Sequence, residues 1–330
     1  MKPKITIILG SSSDYKICEK TINTLEKLKI PYDVKVASAH RTPQKLKYQV
    51  SKATEEGTEV FIGIAGLSAQ LPGIITSYTH KPVIAVPVDV KVGGLDALLT
   101  SSQMPFPEPV ATVGINNGVN AAILAAQILA VHDKKVKERL ISMKKDFYEK
   151  IIKSEEEITE KIKGKYYSPQ KIETPEFEIT TPDSNSEIDV CVMSGSYSDM
   201  NIVRRVTSVL DRADINYDLR IVFPFRRPDK FEELIKNMNT KIFISVTGVA
   251  SHITGMLASL TLSPVIGVPC TSQLQGLDSL LSMVNMPPGV PVATVGINRG
   301  DNAAMLALEI LAMNNEELEE KIKNIKWKRS

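Results

Sequence analysis

The chain has 330 residues, 43% of them hydrophobic, which is enough for two ordinary domains with cores of their own and excludes a disordered protein. Its 40 Lys and Arg nearly balance its 38 Asp and Glu, so no global field draws it to nucleic acid or to an anionic membrane, and any anion must be held locally. Three widely spaced cysteines, Cys18, Cys191 and Cys270, argue against a disulfide framework or a zinc or redox pair, so a reducing, cytoplasmic setting is expected.

In chain order, Ile5 to Leu9, Tyr32 to Ala37, Val60 to Ala65, Val83 to Val88 and Val110 to Ile115 read as strands, with helices predicted to begin near Ser13, Thr42, Gln70, Gly94 and Asn117. Short apolar runs alternating with helix-length segments are the pattern of βα units in a parallel sheet covered on both faces. The first run is too short for a signal-peptide core or a membrane span, so the chain is expected to be soluble and unprocessed. Farther on, Val136, Leu140, Met143, Phe147, Ile151, Ile158 and Ile162 recur at helical spacing among Lys and Glu, which predicts an amphipathic helix that must lie on another surface. After Gly164, the stretch from Tyr166 to Ser186 carries three prolines and reads as an extended linker.

The chain then repeats itself. Ile8-Leu9-Gly10-Ser11-Ser12-Ser13-Asp14 recurs as Met193-Ser194-Gly195-Ser196-Tyr197-Ser198-Asp199, 185 residues on. Gly94-Leu95-Asp96-Ala97-Leu98-Leu99 recurs from Gly276 and Pro-Val-Ala-Thr-Val-Gly-Ile-Asn from 109 recurs from 291, now 182 residues on, so the second copy has lost three residues between a helix and a strand. The expected organisation is α/β: two homologous flavodoxin-like three-layer sandwiches, each with a five-stranded parallel sheet, over 1–132 and 187–330, with the helix and linker at 133–186.

Open parallel sheets bind ligands beyond the carboxyl ends of their strands, and the residues there are unusually polar. Gly10, Ser11, Ser12, Ser13 and Asp14 offer a tight turn, hydroxyls and free N–H groups at a helix start, all suited to phosphate, with Asp14 able to accept from ribose hydroxyls. Ser and Asp also simply cap helices, so this turn alone is weak, and it has neither the spaced glycines of a dinucleotide fold nor the lysine of a nucleotide-triphosphate loop. After the second strand, Ser38-Ala39-His40-Arg41-Thr42-Pro43 leaves His40 and Arg41 on the loop, with Thr42 and Pro43 starting a helix. Arg41 brings a fixed charge for phosphate and His40 an imidazole, the one side chain that titrates near neutrality when unperturbed, although a lone loop histidine is more often solvated. After the third strand, Gly66, Ser68 and Ala69 crowd small residues where a flat ring could approach the backbone, or where helix and strand must pack closely. His80 and His132 are expected to be solvated. No His, Cys and carboxylate set has metal-ligand spacing and no Ser-His-acid order stands out, so no metal or cofactor is expected.

Together these loops, with Gly94-Leu95-Asp96 through Gln103-Met104-Pro105, resemble the PurE family, which makes carboxyaminoimidazole ribonucleotide, over nearly the whole of each copy. The resemblance implies that Ser11, Asp14 and Arg41 hold the phosphoribosyl group of a ribonucleotide, within a site of Gly10, Ser13, Ser38, Ala39, Gly66 and Ser68, and that His40 is the acid–base residue at C4 of the imidazole. CO2 would be intermediate or co-substrate, and Arg41-Thr42-Pro43 with Gly94-Leu95-Asp96 look like the mutase branch rather than the branch that carboxylates directly. Family members are single-domain octamers, so a fused pair implies a tetramer of chains.

Two departures from the family pattern stand out. The second copy has Phe223-Pro224-Phe225-Arg226-Arg227 where the first has Ser38 to Thr42, so it lacks the histidine and is read as structural, with Ser196, Asp199 and Arg226 as a phosphate-binding remnant. The family's Ala-Ala-His-Leu-Pro-Gly appears as Ser68-Ala69-Gln70-Leu71-Pro72-Gly73 and as Ala250-Ser251-His252-Ile253-Thr254-Gly255, complete in neither copy. The competing readings are direct carboxylation with CO2 and a non-catalytic nucleotide-sensing module, the second of which leaves His40 without a purpose.

Overall fold

Val- and Ile-rich runs covered on both faces form strands, as a parallel sheet requires. In the computed structural model, which describes residues 2–169, 173–182 and 186–327, the first copy has β1 (Ile5–Leu9), β2 (Tyr32–Val36), β3 (Val60–Gly66), β4 (Val83–Val88) and β5 (Ala111–Thr112). They alternate with α1 (Tyr15–Lys27), α2 (Pro43–Glu56), α3 (Leu71–Ser77), α4 (Leu95–Ser102) and α5 (Gly118–Ala130), and α6 (Lys134–Lys161) follows. The second copy repeats the series as β6 (Ile188–Ser194), α7 (Met200–Ala213), β7 (Tyr217–Ile221), α8 (Pro228–Lys236) and β8 (Thr240–Thr247). It continues with α9 (His252–Leu260), β9 (Val265–Pro269), α10 (Leu277–Val284), β10 (Ala293–Thr294), α11 (Gly300–Leu311) and α12 (Glu316–Trp327).

The strand order is β2-β1-β3-β4-β5-β10-β9-β8-β6-β7, so each half has the parallel 2-1-3-4-5 order of a flavodoxin-like sheet. The two sheets, expected to be separate, form one: β5 and β10 pair antiparallel through Thr112 and Thr294. Each of these strands has only two residues, against the longer run read from Val110 to Ile115, because each makes only two pairs with its parallel neighbour, Ala111 and Thr112 with β4 and Ala293 and Thr294 with β9. The three residues missing from the second copy come out of a helix, since α8 spans nine residues where α2 spans fourteen.

One apolar core runs beneath the whole sheet, built by β1, β3 and β4, their second-copy equivalents, and α1, α5, α7 and α11. On the other face each copy keeps its own core, Leu46, Val50 and Ile75 in one and Phe231, Ile235 and Leu257 in the other, and Leu98 meets Leu280 and Val284 at the seam. Reciprocal hydrogen bonds tie that seam. The Asn120 carboxamide donates to Met286 O (3.2 Å) and Pro287 O (3.0 Å), and that of Asn302 donates to Met104 O (2.9 Å) and Pro105 O (3.2 Å). The backbones touch there: a Cβ on Gly114 would lie 2.7 Å from Val284 O and one on Gly296 2.8 Å from Ser102 O, so both positions need glycine.

The copies also exchange helices. Lys144 of α6 reaches the second copy and donates to Ala258 O (3.2 Å), while Lys326 of α12 reaches back to Thr76 O and Thr79 O (2.9 Å each). Lysines suit these positions because carbonyls near a helix C-terminus lack intrahelical partners. The predicted amphipathic face of α6 is buried only in part: Val136 and Leu140 are buried and Met143 and Phe147 pack on the core, but Ile151, Ile158 and Ile162 are exposed. Of the expected linker, residues 170–172 and 183–185 lie outside the described residues, and 173–182 is docked rather than free. Tyr148 Oη donates to Pro175 O (2.5 Å), and Thr180 bridges to Thr261.

Two histidines expected to be solvated are not. His132 is half-buried, with Nε2 3.3 Å from Ile310 O. His80 is buried beside α12, with Nε2 3.1 Å from Glu319 Oε1 and the Trp327 ring edge-on. Burial, with Lys81 and Lys323 opposing its charge and Glu319 favouring it, drives the His80 pKa from 6.5 down to about 4. The unfolded chain therefore takes up this proton before the folded one does, so the stability is present above pH 6.5 and is lost as pH falls toward 4. The expected loss is about 2 kcal/mol after allowing for solvent at Glu319, whose side chain is 24% exposed. Thermal melts across that window should show a slope that His80→Gln flattens; an unchanged slope would assign the acid sensitivity elsewhere.

Candidate active site

The order of strands reverses between β1 and β3, which opens a crevice at their carboxyl ends. A cleft of about 380 Å³ occupies it, lined by Gly10, Ser11, Ser13, Asp14, Ser38, Ala39, His40, Arg41, Gly66 and Ser68, together with Ala65, Leu67, Ala69, Gln70, Leu71 and Val90. All ten residues singled out from the sequence thus meet around one cavity. Gly94 to Asp96 and Gln103 to Pro105 do not line it; Leu95 packs at the seam instead, and Met104 and Pro105 accept from Asn302.

The turn after β1 is held by its own side chains. Ser11 Oγ accepts from Ser13 N (3.3 Å) and Asp14 Oδ2 accepts from Ser11 N (3.2 Å), a capping box that fixes the hydroxyls at the mouth. Ser11 Oγ and Ser13 Oγ lie 2.5 Å apart. Asp14 is buried, and desolvation raises its carboxyl pKa against the lowering effect of hydrogen bonds from Ser11 and Ser13. After β2, Thr42 Oγ1 accepts from Ser38 N (2.9 Å), and Ser38 Oγ accepts from Arg41 N (3.1 Å) and Arg41 Nε (3.4 Å), so the loop is braced before Pro43 starts α2. The guanidinium keeps its outer nitrogens for an anion.

His40 is exposed at the cleft wall, and its Nε2 lies 2.9 Å from Gln70 Oε1. Gln70 is a contact that sequence reasoning marked only as a departure from the family pattern; its place just ahead of α3, after the third strand, was the signal. Gly66 is needed for close packing at the cleft: a Cβ there would stand 2.4 Å from Val90 Cγ2 and 3.0 Å from Val88 O. The backbone at Leu67 (φ 58°) and Ala69 (φ 32°) is left-handed, a conformation costing about 1–3 kcal/mol per residue that tends to sit where a ligand is clamped.

The equivalent crevice of the second copy is also open, at about 560 Å³, and is lined by Gly195, Ser196, Ser198, Asp199, Phe225 and Arg226, among others. Each cleft draws its described lining from its own copy. Among the described residues no group of three His, Cys, Asp or Glu is placed to hold a metal ion, and no helix is long and apolar enough to cross a membrane.

Residues 4–150 and 189–330 each match the AIR carboxylase family. The chain is 53% identical over 328 residues to the Methanothermobacter thermautotrophicus protein named "Probable N5-carboxyaminoimidazole ribonucleotide mutase", covering 99% of this chain and 98% of that one. A Methanobrevibacter smithii protein of the same name is 49% identical, with 99% of each chain covered. The Methanocaldococcus jannaschii N5-carboxyaminoimidazole ribonucleotide mutase is 51% identical over 159 residues, which are 99% of that protein and 48% of this chain. Among solved structures, Treponema denticola PurE aligns with 47% of this chain and 98% of its own, at 29% identity and a TM-score of 0.44. With two family matches that together span most of its length, one on each half of the duplicated sheet, the chain belongs to the AIR carboxylase family as a tandem pair.

Proposed function

We propose that the chain converts N5-carboxyaminoimidazole ribonucleotide to 4-carboxy-5-aminoimidazole ribonucleotide, a step of purine biosynthesis, in the cytoplasm and in the cleft of the first copy (1–132), while the second copy (187–330) does not turn over substrate. One observation carries this reading: His40 shares a single cavity with the Ser11 to Asp14 turn and Arg41. Phosphate is assigned to Ser11, Ser13 and Arg41 with the Gly10 backbone, the ribose hydroxyls to Asp14, and the flat imidazole to the small residues Ala39, Gly66 and Ser68.

The chemistry asks little more of the protein. The N–C bond of the carbamate breaks to release CO2, and the amino nitrogen takes a proton. C4, made electron-rich by that amine, attacks CO2, and the tetrahedral carbon then gives up its own proton. One proton is supplied and one removed, so a single imidazole is left unchanged over the cycle. Holding the released CO2 at the nucleophile replaces a bimolecular capture by an oriented one, worth up to about 7–11 kcal/mol in favourable cases.

Such a cleft should be sealed, and apolar side chains of its lining stand exposed: Leu67 (50%) and Val90 (50%) in the first copy, Val249 (58%) in the second. A second copy of this chain is the occupant we assign to these side chains, in a tetramer whose eight domains enclose the sites. Light scattering should give four times the chain mass, and a monomer would remove this part of the reading. The deciding assay offers purified protein the N-carboxylated and the uncarboxylated ribonucleotide separately. Turnover of the first without added bicarbonate is expected, and a requirement for CO2 with the second would establish direct carboxylation instead.

A further inference from the structure

The second cleft is not a worn copy of the first, because its two halves differ in chemistry. Its anion-holding half keeps the same residue types: Ser196 Oγ accepts from Ser198 N (3.1 Å), Asp199 Oδ1 accepts from Ser198 Oγ (3.1 Å), and Arg226 stands where the first copy has Arg41, while Ser196 N donates to Ser194 Oγ (3.4 Å) rather than to the carboxylate. Its proton-moving half is replaced. Phe223 and Phe225 take the places of Ser38 and His40, and His252 that of Gln70.

The replacements make an aromatic wall. The Phe225 and His252 rings meet edge to face with centroids 5.0 Å apart, and the Arg226 guanidinium lies over the Phe223 ring at 5.3 Å. Phe225 is 69% exposed and Phe223 43% exposed, so both rings have faces free within a cavity of about 560 Å³, which is larger than its partner. Exposed rings beside an anion-holding turn and an arginine are the elements that grip a phosphorylated ribose and stack its base. With phenylalanine at the position of the first cleft's imidazole, the imidazole that remains in the lining is that of His252, which stands at the place of Gln70 and packs edge to face on Phe225 rather than at the position of His40.

We propose that the second-copy cleft is a non-catalytic binding site for a 5′-mononucleotide, with the phosphate on Ser196, Ser198 and Arg226 and the base against Phe225. The assignment rests on the reading of the first cleft as a ribonucleotide site, since the shared turn is what transfers between them.

Equilibrium dialysis of the full chain with AMP tests it without using turnover, so a failure of the proposed reaction does not touch this result. Wild type and Arg41→Ala should bind AMP in the second cleft with similar affinity, Arg226→Ala should weaken that binding about tenfold or more, and Phe225→Leu should weaken it similarly while Phe225→Trp restores it. Ribose 5-phosphate and adenosine should each bind more weakly than AMP. Because Phe225 is exposed, the Leu and Trp pair decides the matter even if Arg226→Ala does not fold. No AMP binding at millimolar concentration, loss of binding in Arg41→Ala alone, equal affinity for ribose 5-phosphate and AMP, or Phe225→Leu binding as wild type would each overturn the proposal.

Discussion

Replacing His40 by asparagine should lower kcat on the order of a thousandfold while KM moves only slightly. Asparagine keeps a polar amide near the Nδ1 edge of the ring, although it falls short of the Nε2 position that lies 2.9 Å from Gln70 Oε1, and the loop keeps its shape through the bonds from Arg41 N and Ser38 N that brace it. What asparagine cannot do is give a proton to the departing nitrogen and take one from C4. No other ionisable group of the cleft lining can stand in for it, since Arg41 stays charged and Asp14 is directed into its own turn by the Ser11 and Ser13 hydrogen bonds. Steady-state kinetics with a thermal melt on the same preparation separates lost chemistry from lost fold. Wild-type turnover in His40→Asn would give the proton transfers to another residue and leave the first cleft without its assigned agent.

The largest expected change in stability lies far from that cleft. Lys326→Met should destabilise the chain by about 3–5 kcal/mol, because it strips the buried Glu309, Thr76 O and Thr79 O of their shared charged donor. The Lys326 side chain is completely buried, with Nζ 3.0 Å from the equally buried Glu309 and 3.1 Å from Glu108, and it donates to Thr76 O, Thr79 O and Thr76 Oγ1 (3.2 Å). The first copy shows the alternative solution: Gln127 occupies the position of Glu309, and Lys144, in the place of Lys326, donates to Ala258 O with its pKa lowered to about 8 by burial. Glu309→Gln should therefore cost only about 1–2 kcal/mol, and the double variant should recover much of what Lys326→Met loses.

The sign of the pH dependence follows from Glu309. Burial already raises its pKa to about 8 against the pull of Lys326, and without that lysine it rises further. A raised folded-state value means stability that is intact below the ordinary 4.5 and is lost as pH climbs; wild type and variant lose it in parallel until Glu309 of the wild type ionises at about 8, so the Lys326→Met deficit should grow from about pH 7 toward about pH 9. Urea titrations at those two values measure it. A deficit under about 1 kcal/mol at both would mean that water reaches the pair.

Much of the fold was legible because apolar runs alternate with helix-length segments and then repeat, and the cleft followed because residues after successive strands converge wherever strand order reverses. What escaped the sequence depends on partners far away along the chain. His80 is buried by α12, and its contact with Glu319 spans 239 positions, while β5 meets β10 of the other copy through the pair Thr112 and Thr294. The His40–Gln70 contact was obscured for another reason: a glutamine where the family pattern has histidine reads as a loss until its oxygen is found on the imidazole. The half-exposed face of α6 shows the limit of periodicity, which states that a face is apolar but not where the covering surface ends.

The reciprocal Asn120 and Asn302 bonds, the glycine contacts and the exchanged helices all connect parts of one polypeptide. An interface of this kind between separate subunits would loosen on dilution, its occupancy set by mass action. Within a single covalent chain the same contacts hold at any concentration, so one half could give up its imidazole without ever risking assembly into a particle built only of inactive halves.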